Sequence, residues 1–362
     1  MVNLCCNRVR CRSTEARQQI MAAMDPKYKR WIRRISFWLG IPAAVLLVLV
    51  LLAWSVMIRM PGKSFAGPLP PASPHESALG EQLRSDVERL AGTIGERNLE
   101  HAPALDAAAA FIESSLTDVG HEVRRQSFDV DGKTCHNLEV EVAGADRATE
   151  IVVVGAHFDT APGAPGADDN ASGVAALLAL ARAFAHQQPI RTLRLVAFTN
   201  EEPPHFQMDS MGSFVYARRC RERNENIVAM LSLETVGYFS DASDSQKYPA
   251  IFSVCYPSKG NFIAFVGNVG SRQLVRETIG SFRRHARFPS EGGAVPGFID
   301  GVGWSDHWAF WHFGYPAVMV TDTAPFRNPH YHTRGDTPGT LDFDRMGRVV
   351  DGLRQVVADL TE

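Results

Sequence analysis

The sequence of 362 residues carries a formal net charge of −3, so it lacks the excess of basic residues that is typical of nucleic acid-binding proteins. Hydrophobic residues make up 45% of the chain and charged residues 21%, a balance typical of a globular protein with its own core. The length fits two ordinary domains or one large α/β domain. We therefore expect no nucleic acid partner, and the sequence does not indicate an oligomeric state.

An uncharged segment lies near the start of the chain. Residues 35–58 contain no charged side chain and include an apolar run over residues 45–52, with Trp38 and Trp54 near the two ends. A helix of this length rises roughly 36 Å, which is enough to cross a hydrocarbon core of about 30 Å. The apolar core of a cleaved signal peptide is shorter, at about 7–15 residues. The segment therefore predicts an uncleaved transmembrane signal anchor over residues 35–58.

Basic residues are unevenly distributed around this segment, because nine arginine and lysine residues precede it and only Arg59 and Lys63 follow it closely. By the positive-inside rule, residues 1–34 are predicted to form a basic cytoplasmic tail, and the part of the chain after the anchor is predicted to lie in the periplasm or the extracellular space. Residues 59–75 are rich in proline and predict a stiff, extended linker. It leads into the main domain, predicted over residues 76–362.

The main domain alternates helical and strand-like patterns. Apolar residues recur at helical spacing over residues 79–90 and 105–116. Further strands are predicted at residues 122–130, 136–142, 151–156, 193–199, 227–234 and 317–321, and further helices at 173–186, 272–286 and the C terminus. Strands that alternate with helices predict an α/β fold, a three-layer sandwich around a mixed, mostly parallel sheet. Ligands of such sheets bind beyond the carboxyl ends of the strands.

Residues that could bind a metal ion follow several of these strands. His157 and Asp159 lie two apart at the end of one strand and point the same way, so one can bind a metal while the other orients it. Glu201 and Glu202 close the next strand, and adjacent carboxylates in a dry site repel each other unless a cation lies between them. Glu234 follows buried residues, where an unpaired carboxylate is costly. For each motif alone, a core histidine or a solvated loop pair is the alternative.

The loop after the strand at residues 317–321 adds the imidazoles of His330 and His332. Histidine and carboxylate ligands without cysteine suit catalytic Zn²⁺, Mn²⁺ or Co²⁺ rather than a structural zinc site. The carboxylates outnumber those that a single zinc ion normally takes, whereas two metal ions bridged by one carboxylate, with another carboxylate as base, use them all. The sequence therefore predicts two divalent metal ions as cofactors, and we expect them to be Zn²⁺.

In chain order these motifs resemble those of the dizinc aminopeptidases, the M-twenty-eight zinc metallopeptidases, over roughly residues 76–362. The matching motifs are His157-Phe158-Asp159, Asp168-Asp169-Asn170-Ala171-Ser172-Gly173, Glu201-Glu202, Leu233-Glu234, Ser305-Asp306-His307, His330-Tyr331-His332-Thr333 and Asp336-Thr337. The resemblance implies a zinc-exopeptidase-like fold and a peptide substrate. It also implies an aminopeptidase that hydrolyses N-terminal residues by a two-metal mechanism.

The resemblance also implies a role for individual residues. Asp169 would bridge both metal ions, His157 and Glu234 would complete one site, and Glu202 and His332 would complete the other. Among their neighbours, Glu201 would be the general base and Asp159 would hold His157. Asp168 and His330 would lie outside the ligand set. Asp306 and His307 would line the pocket or brace its loop.

The chain departs from the family pattern in two places. Position 234 is Glu where many members have Asp, and residues 300–304 lack the cysteine pair and the tyrosine of some aminopeptidases, so we assign no oxyanion side chain. Two alternatives stay open, a glutaminyl-cyclase-like acyltransferase with a single zinc and a non-catalytic binding ectodomain on the same fold. Retention of both His157 and Glu234 favours a two-metal site, and the complete set of ligands favours a hydrolase over a binding module.

Overall fold

A computed structural model describes residues 24–362 of the protein. The chain divides into two units, one that ends at Val56 and one that runs from Met57 to Glu362. The first contains helix α1 (Pro26–Ala53), which begins after Asp25, whose carboxylate accepts a hydrogen bond from the backbone N–H of Lys27 at 2.7 Å. A side-chain cap of this kind satisfies one of the unpaired N–H groups at a helix start.

The transmembrane anchor predicted over residues 35–58 is not found. In the part of the chain that the structure describes, no helix has both the length and the apolar character needed to cross a membrane. The uncharged segment is also not one continuous α-helix, because α1 ends at Ala53 and a π-helical turn follows over Trp54–Ile58. The basic tail predicted over residues 1–34 begins outside the described residues. The location of the main domain outside the cytoplasm stays a prediction.

The described residues of the second unit form seven α-helices and eight strands. The helices are α2 (Pro74–Val87), α3 (Ala102–Thr117), α4 (Gly173–Phe184), α5 (Gly212–Glu222), α6 (Arg272–His285), α7 (His307–His312) and α8 (Phe343–Thr361). The strands are β1 (Arg124–Val130), β2 (Lys133–Val142), β3 (Arg147–His157), β4 (Arg191–Phe198), β5 (Asn226–Glu234), β6 (Ile263–Gly267), β7 (Ser290–Ala294) and β8 (Ala317–Thr321).

These strands form one mixed sheet in the order β1-β2-β4-β3-β5-β8-β6-β7. The four neighbours β4, β3, β5 and β8 are parallel, whereas β2 pairs antiparallel with β4, and β6 antiparallel with β8. The predicted α/β fold with a mixed sheet is therefore confirmed. Because the four central strands run in one direction, their carboxyl ends meet at the same edge of the sheet.

Both faces of the sheet are covered by apolar cores. Strand β3 shows this directly, because Val152 and Val154 belong to the larger core while Ile151 and Val153 belong to a smaller one on the opposite face. Successive side chains of a strand point to opposite faces, so a strand with no exposed face reads as one continuous apolar run. The sheet is thus the middle layer of three.

The proline-rich segment predicted as a linker packs along the second unit. Arg283 donates to the carbonyl oxygen of Pro61 at 3.0 Å, and Arg348 donates to that of Pro70 at 2.7 Å. Ser64 accepts the backbone N–H of Ser290, in the edge strand β7, at 2.9 Å. Unpaired strand edges invite aggregation, and this segment covers one of them. Much of the predicted linker is therefore held against the fold.

Candidate metal centre

Five potential metal ligands meet at the carboxyl edge of the parallel strands. His157 is the last residue of β3, Glu234 is the last residue of β5, and Glu202 lies in the loop after β4. Asp169 lies in the π-helical turn Ala167–Ser172, and His332 lies in the loop that follows β8. The five predicted ligand positions thus lie next to one another because of the parallel order of β4, β3, β5 and β8.

The five side chains form two groups that share Asp169. In one group, His157 Nε2 lies 3.3 Å from Asp169 Oδ1 and 3.2 Å from Glu234 Oε2. In the other, His332 Nε2 lies 3.0 Å from Asp169 Oδ2 and 3.1 Å from Glu202 Oε2. Within each group the ligand atoms all lie within 4.8 Å of one another. The two oxygens of one carboxylate therefore face two different groups, as a bridging ligand requires.

The chemistry of these side chains fits cations. Both ring nitrogens of His157, one oxygen of Asp169 and one oxygen of Glu202 are buried without a hydrogen-bond partner. Each buried polar atom without a partner costs about 1–3 kcal/mol. Burial and the nearby charge of Asp169 raise the pKa of Glu202 to about 8, and burial raises the pKa of Glu234. A divalent cation in each group would bind His157 through one ring nitrogen and Asp169 through its carboxylate, and it would offset the repulsion among the carboxylates.

Asp159 joins the ends of two strands. Its Oδ1 lies 3.5 Å from His157 Nδ1, close enough to orient the ring. The same carboxylate accepts the backbone N–H of Glu201 through Oδ1 and that of Glu202 through Oδ2, each at 3.1 Å. Asp159 therefore also fixes the backbone of the two adjacent glutamates, a contact that the sequence motifs do not predict.

Asp336 holds the segment that carries the shared ligand. Its two carboxylate oxygens accept the backbone N–H groups of Asp168 at 2.8 Å and Asp169 at 3.1 Å. Gly166 precedes this segment with φ +63°, and a Cβ atom there would lie 2.3 Å from the carbonyl oxygen of Asp169. Only glycine suits both the left-handed backbone and the close approach.

The neighbouring residues lie outside both ligand groups. Asp168 is buried, and it accepts the N–H of Gly237 at 3.1 Å and an amide hydrogen of Asn328 at 2.8 Å. His330 donates its backbone N–H to the side chain of Asn328 at 2.9 Å. The ring of His307 contacts the carbonyl oxygen of Val302 at 2.7 Å, which braces the loop before α7.

Three residues at or beside the ligands have left-handed backbone conformations. They are Asn200 at φ +58°, directly before Glu201, Thr235 at φ +47°, directly after Glu234, and the ligand His332 at φ +56°. A positive φ is uncommon outside glycine and is especially unfavourable for a β-branched residue such as threonine. Backbone strain of this kind is concentrated at functional sites.

Arg97 is a buried cation that belongs to none of the sequence motifs. Its side chain is fully buried and donates to the carbonyl oxygens of Phe158 at 2.6 Å, Pro165 at 2.6 Å and Gly166 at 3.0 Å. These carbonyl groups belong to the loop between His157 and Asp169, so Arg97 holds the loop that joins two ligands. Burial lowers the pKa of Arg97 to about 10, although the charge of nearby Asp159 opposes this shift.

The family profile described as Peptidase family M28 matches residues 137–357, which is more than half of the chain. The chain belongs to peptidase family M28. The uncharacterised protein YfbL of Escherichia coli strain K12 is 37% identical to this M28 peptidase over 292 residues, which cover 78% of the chain and 88% of YfbL. The probable leucine aminopeptidase 1 of Trichophyton verrucosum is 27% identical over 241 residues, 63% of the chain, and the match spans only 57% of that fungal protein.

Solved structures show the same fold at lower sequence identity. The zinc aminopeptidase BSAP from Bacillus subtilis superposes with a TM-score of 0.64 at 15% identity, over 78% of this chain and 95% of that chain. The glutaminyl cyclase from Fimbriiglobus ruber superposes with a TM-score of 0.58 at 19% identity, over 81% of this chain and 97% of that chain. Family membership confirms the predicted zinc metallopeptidase, its peptide substrates and divalent metal ions as its cofactors.

We expect the metal-free M28 peptidase to lose thermal stability between about pH 5.5 and about pH 8. Burial raises the pKa of Glu202 to about 8 and that of Asp306 to about 7. A folded-state pKa above the unfolded value stabilises the fold at low pH, and this contribution is lost as the pH rises through the folded-state pKa. Burial alone would lower the pKa of His332, but its contacts with Asp169 and Glu202 raise it to about 10, which has the same sign.

Thermal unfolding of the protein with a chelator and with added zinc, measured across this pH range, tests the expectation. Each kcal/mol lost lowers Tm by roughly 2–4 °C for a chain of this size class. The zinc-loaded form is expected to show the opposite trend, because protons and metal ions compete for the same ligand atoms. A metal-free form whose Tm stays constant or rises with pH would contradict the assignment of buried, uncompensated carboxylates.

Proposed function

We propose that this protein is an aminopeptidase that removes N-terminal residues from peptides, with a water molecule activated between two metal ions. The observation that supports it most is the pair of ligand groups that share Asp169, beside a carboxylate, Glu201, that belongs to neither group. The relatives named as leucine aminopeptidases and the structural likeness to a zinc aminopeptidase support the N terminus as the site of cleavage.

In this mechanism His157, Asp169 and Glu234 would hold one ion, and Asp169, Glu202 and His332 the other. When bound, two divalent cations supply a water molecule of lowered pKa and polarise the carbonyl group of the scissile bond. The protein side chains must then hold the ligands in place and move protons.

Glu201 is the group that we propose to move protons. It is buried, and its Oε2 lies 3.9 Å from His157 Nε2, at the edge of the first ligand group. A carboxylate at this distance from the ligands can accept a proton in one step and return it in the next. Glu201 accepts the proton of the attacking water and then donates it to the leaving amine. Asp159 keeps it in position through the backbone N–H of Glu201.

A screen of aminoacyl p-nitroanilides with the purified full-length protein tests this function. We expect release of p-nitroaniline that a chelator abolishes and that added Zn²⁺ restores. N-acetylated aminoacyl p-nitroanilides are the matched control, because a peptidase that requires a free N terminus leaves them intact. Cleavage of N-acetylated peptides from their C-terminal end would instead show a carboxypeptidase.

Glutaminyl cyclase activity is the second candidate, supported by the structural likeness to the Fimbriiglobus ruber enzyme. A single-zinc enzyme needs only one ligand group, such as Asp169, Glu202 and His332, whereas this chain also has His157 and Glu234 in place. Metal analysis of the purified protein, together with a peptide that begins with glutamine, separates the two functions. Two metal ions per chain and no cyclised product support the peptidase, and one ion with cyclised product supports the cyclase.

A further inference from the structure

A large cavity opens beside the metal centre and extends away from it along the sheet. Its lining includes the proposed ligand Glu234 and Tyr331, which directly precedes the ligand His332. It also includes Glu291 of β7. The cavity contains about 880 Å³ of space, its open mouth included. A substrate bound at the metal centre would therefore have this space beside its reacting group.

The strand register defines the floor of the cavity. Glu234 is paired with Thr321, Thr321 with Ala264, and Ala264 with Glu291, so these four residues form one row across β5, β8, β6 and β7. Laterally paired residues point to the same face, and neighbouring strands are about 4.8 Å apart, so the row is roughly 14 Å long. The two residues in the middle of the row are small. The floor is thus a long, shallow groove that begins at a metal ligand.

The next row of the floor has larger side chains. Met319 is paired with Val266, and Val266 is paired with Gly293, and all three line the cavity. The space above Gly293 is taken by Tyr256, because a Cβ atom on this glycine would lie 2.9 Å from the tyrosine hydroxyl, so the open part of the floor is the row that contains Ala264. The row is longer than a leucine side chain, and an aromatic side chain reaches farther along it.

Aromatic side chains form much of the remaining lining. The rings of Tyr248 and Tyr256 stack at a centroid distance of 5.7 Å, and Phe252 lies 6.4 Å from Tyr256. Trp304 stacks on Phe326 at 6.3 Å with an interplanar angle of 20°. Offset stacking and edge contacts with such rings favour another aromatic ring over an aliphatic side chain of similar area.

The hydroxyl groups of the two tyrosines already have partners. Tyr256 donates to the carbonyl oxygen of Gly292 at 2.9 Å, and Tyr248 donates to that of Pro257 at 2.6 Å. Both rings are thereby held in fixed orientations, and neither hydroxyl group has a hydrogen left to donate to a ligand. The contribution of these tyrosines to binding is therefore that of flat, rigid apolar surfaces.

The charges around the cavity do not favour a cationic side chain. The carboxylate of Glu291 already has a cation nearby, because its Oε2 lies 3.9 Å from Arg283 Nη2. The other charged residues of the lining besides the ligand Glu234 are Lys247 and Asp300, which have opposite signs and are both exposed. A lysine or arginine side chain inside the cavity would lose its hydration, and the carboxylate of Glu291 already has Arg283 nearby, while the carboxylate of Asp300, which has no ion pair among the described residues, is exposed to solvent.

We propose that this cavity receives the side chain of the substrate's N-terminal residue and selects phenylalanine, tyrosine or tryptophan over leucine, alanine, lysine and arginine. This inference rests on the proposed aminopeptidase function and names the substrate class of the same site. Trp304, which is 41% exposed and lines the cavity, is the residue whose loss is expected to change this selection without touching the metal ligands.

The test compares kcat/KM for a series of aminoacyl coumarin amides with the zinc-loaded full-length protein. We expect values for phenylalanine and tyrosine at least roughly tenfold above that for leucine, because specificity of this kind depends on how well one pocket is filled. The Trp304→Ala variant is expected to lose roughly tenfold for the phenylalanine substrate, mainly through KM, and to change little for the alanine substrate.

Phe298→Ala is the matched control, because Phe298 is an 87% exposed aromatic residue that is absent from the lining. This variant is expected to keep the wild-type order of substrates. A wild-type order led by leucine, alanine, lysine or arginine would overturn the proposal. So would a Trp304→Ala variant that loses the same factor for every substrate, since that result indicates a general effect on the fold or the metal centre.

Failure of the aminopeptidase function is distinguishable from failure of this inference. If zinc-loaded protein cleaves none of the substrates, the proposed function is wrong, and the cavity is then tested by binding alone. L-Phenylalaninol and L-leucinol are amines that cannot be hydrolysed, and their effects on Tm of the zinc-loaded protein report their relative affinities. A larger increase with L-phenylalaninol supports aromatic selection, and an equal or smaller increase overturns it.

Discussion

Glu201→Gln is expected to keep both metal ions and to lower kcat by roughly 10²–10⁴-fold. Glutamine has the same shape as glutamate, but its amide cannot accept the proton of the attacking water. The side chain belongs to neither ligand group, so metal content is expected to stay at the wild-type level. The measurement is kcat for the best aminoacyl substrate, together with zinc analysis of the purified variant. KM is expected to change little, because the ligands that position the substrate remain.

Glu202→Gln is the matched control for this variant. The two residues are adjacent, both are buried, and both donate their backbone N–H to Asp159. Only Glu202 lies in a ligand group, 3.1 Å from His332, so its replacement is expected to reduce zinc content as well as activity. Near wild-type turnover by Glu201→Gln, or equal loss of zinc from both variants, would show that the base has been assigned to the wrong residue.

The central strands could be predicted because their sequences are continuous apolar runs. Strand β3 is buried on both faces, and its Val152, Val153 and Val154 have the side chains that such strands favour. Strand β7 could not be predicted, since Ser290–Ala294 contains two glycines and no β-branched residue. It is a strand because it pairs with β6 and because the segment around Ser64 covers its other edge.

The ligand positions could be predicted because each follows a recognisable strand in a short motif. The contacts that hold them could not, because they depend on which strands are neighbours. Strands β3 and β4 are parallel neighbours, and His157 at the end of β3 is paired with Phe198 at the end of β4. Asp159 reaches the backbone of Glu201 only because of this pairing. Arg97 is equally hidden in the sequence, where a single arginine before a polar turn is typical of an exposed surface.

The predicted membrane anchor shows a different limit. Hydropathy describes the composition of a segment, and residues 35–58 do contain the uncharged run from which a transmembrane helix was inferred. Among the residues that the structure describes, 24–362, no helix is both long and apolar enough to span a membrane. The polar motifs of the main domain predicted the positions of the candidate ligands more reliably, because buried histidine and carboxylate side chains need partners that only a few arrangements of residues can supply.

Asp169→Asn is expected to remove the zinc dependence of the protein together with its activity. Asp169 Oδ1 lies 3.3 Å from His157 Nε2 and its Oδ2 lies 3.0 Å from His332 Nε2, so each ligand group uses a different oxygen. An amide has only one oxygen and no negative charge, so at least one ion loses a ligand and the repulsion among the remaining carboxylates is no longer offset. We expect zinc content to fall below one ion per chain and hydrolysis to fall to background. Zinc analysis and thermal unfolding with and without zinc measure the effect.

The size of the zinc-induced increase in Tm separates a lost ligand from a damaged fold. A ligand at 100 times its Kd stabilises the native state by about 2.7 kcal/mol, and this contribution is expected to shrink in Asp169→Asn. Asp168→Asn is the matched control, since Asp168 is the adjacent buried carboxylate and contacts Gly237 and Asn328 rather than a ligand group. That variant is expected to have a lower Tm but to keep its zinc and its response to zinc. If both variants lost zinc to the same extent, Asp169 would only stabilise this loop, and it would not be the ligand shared by the two ions.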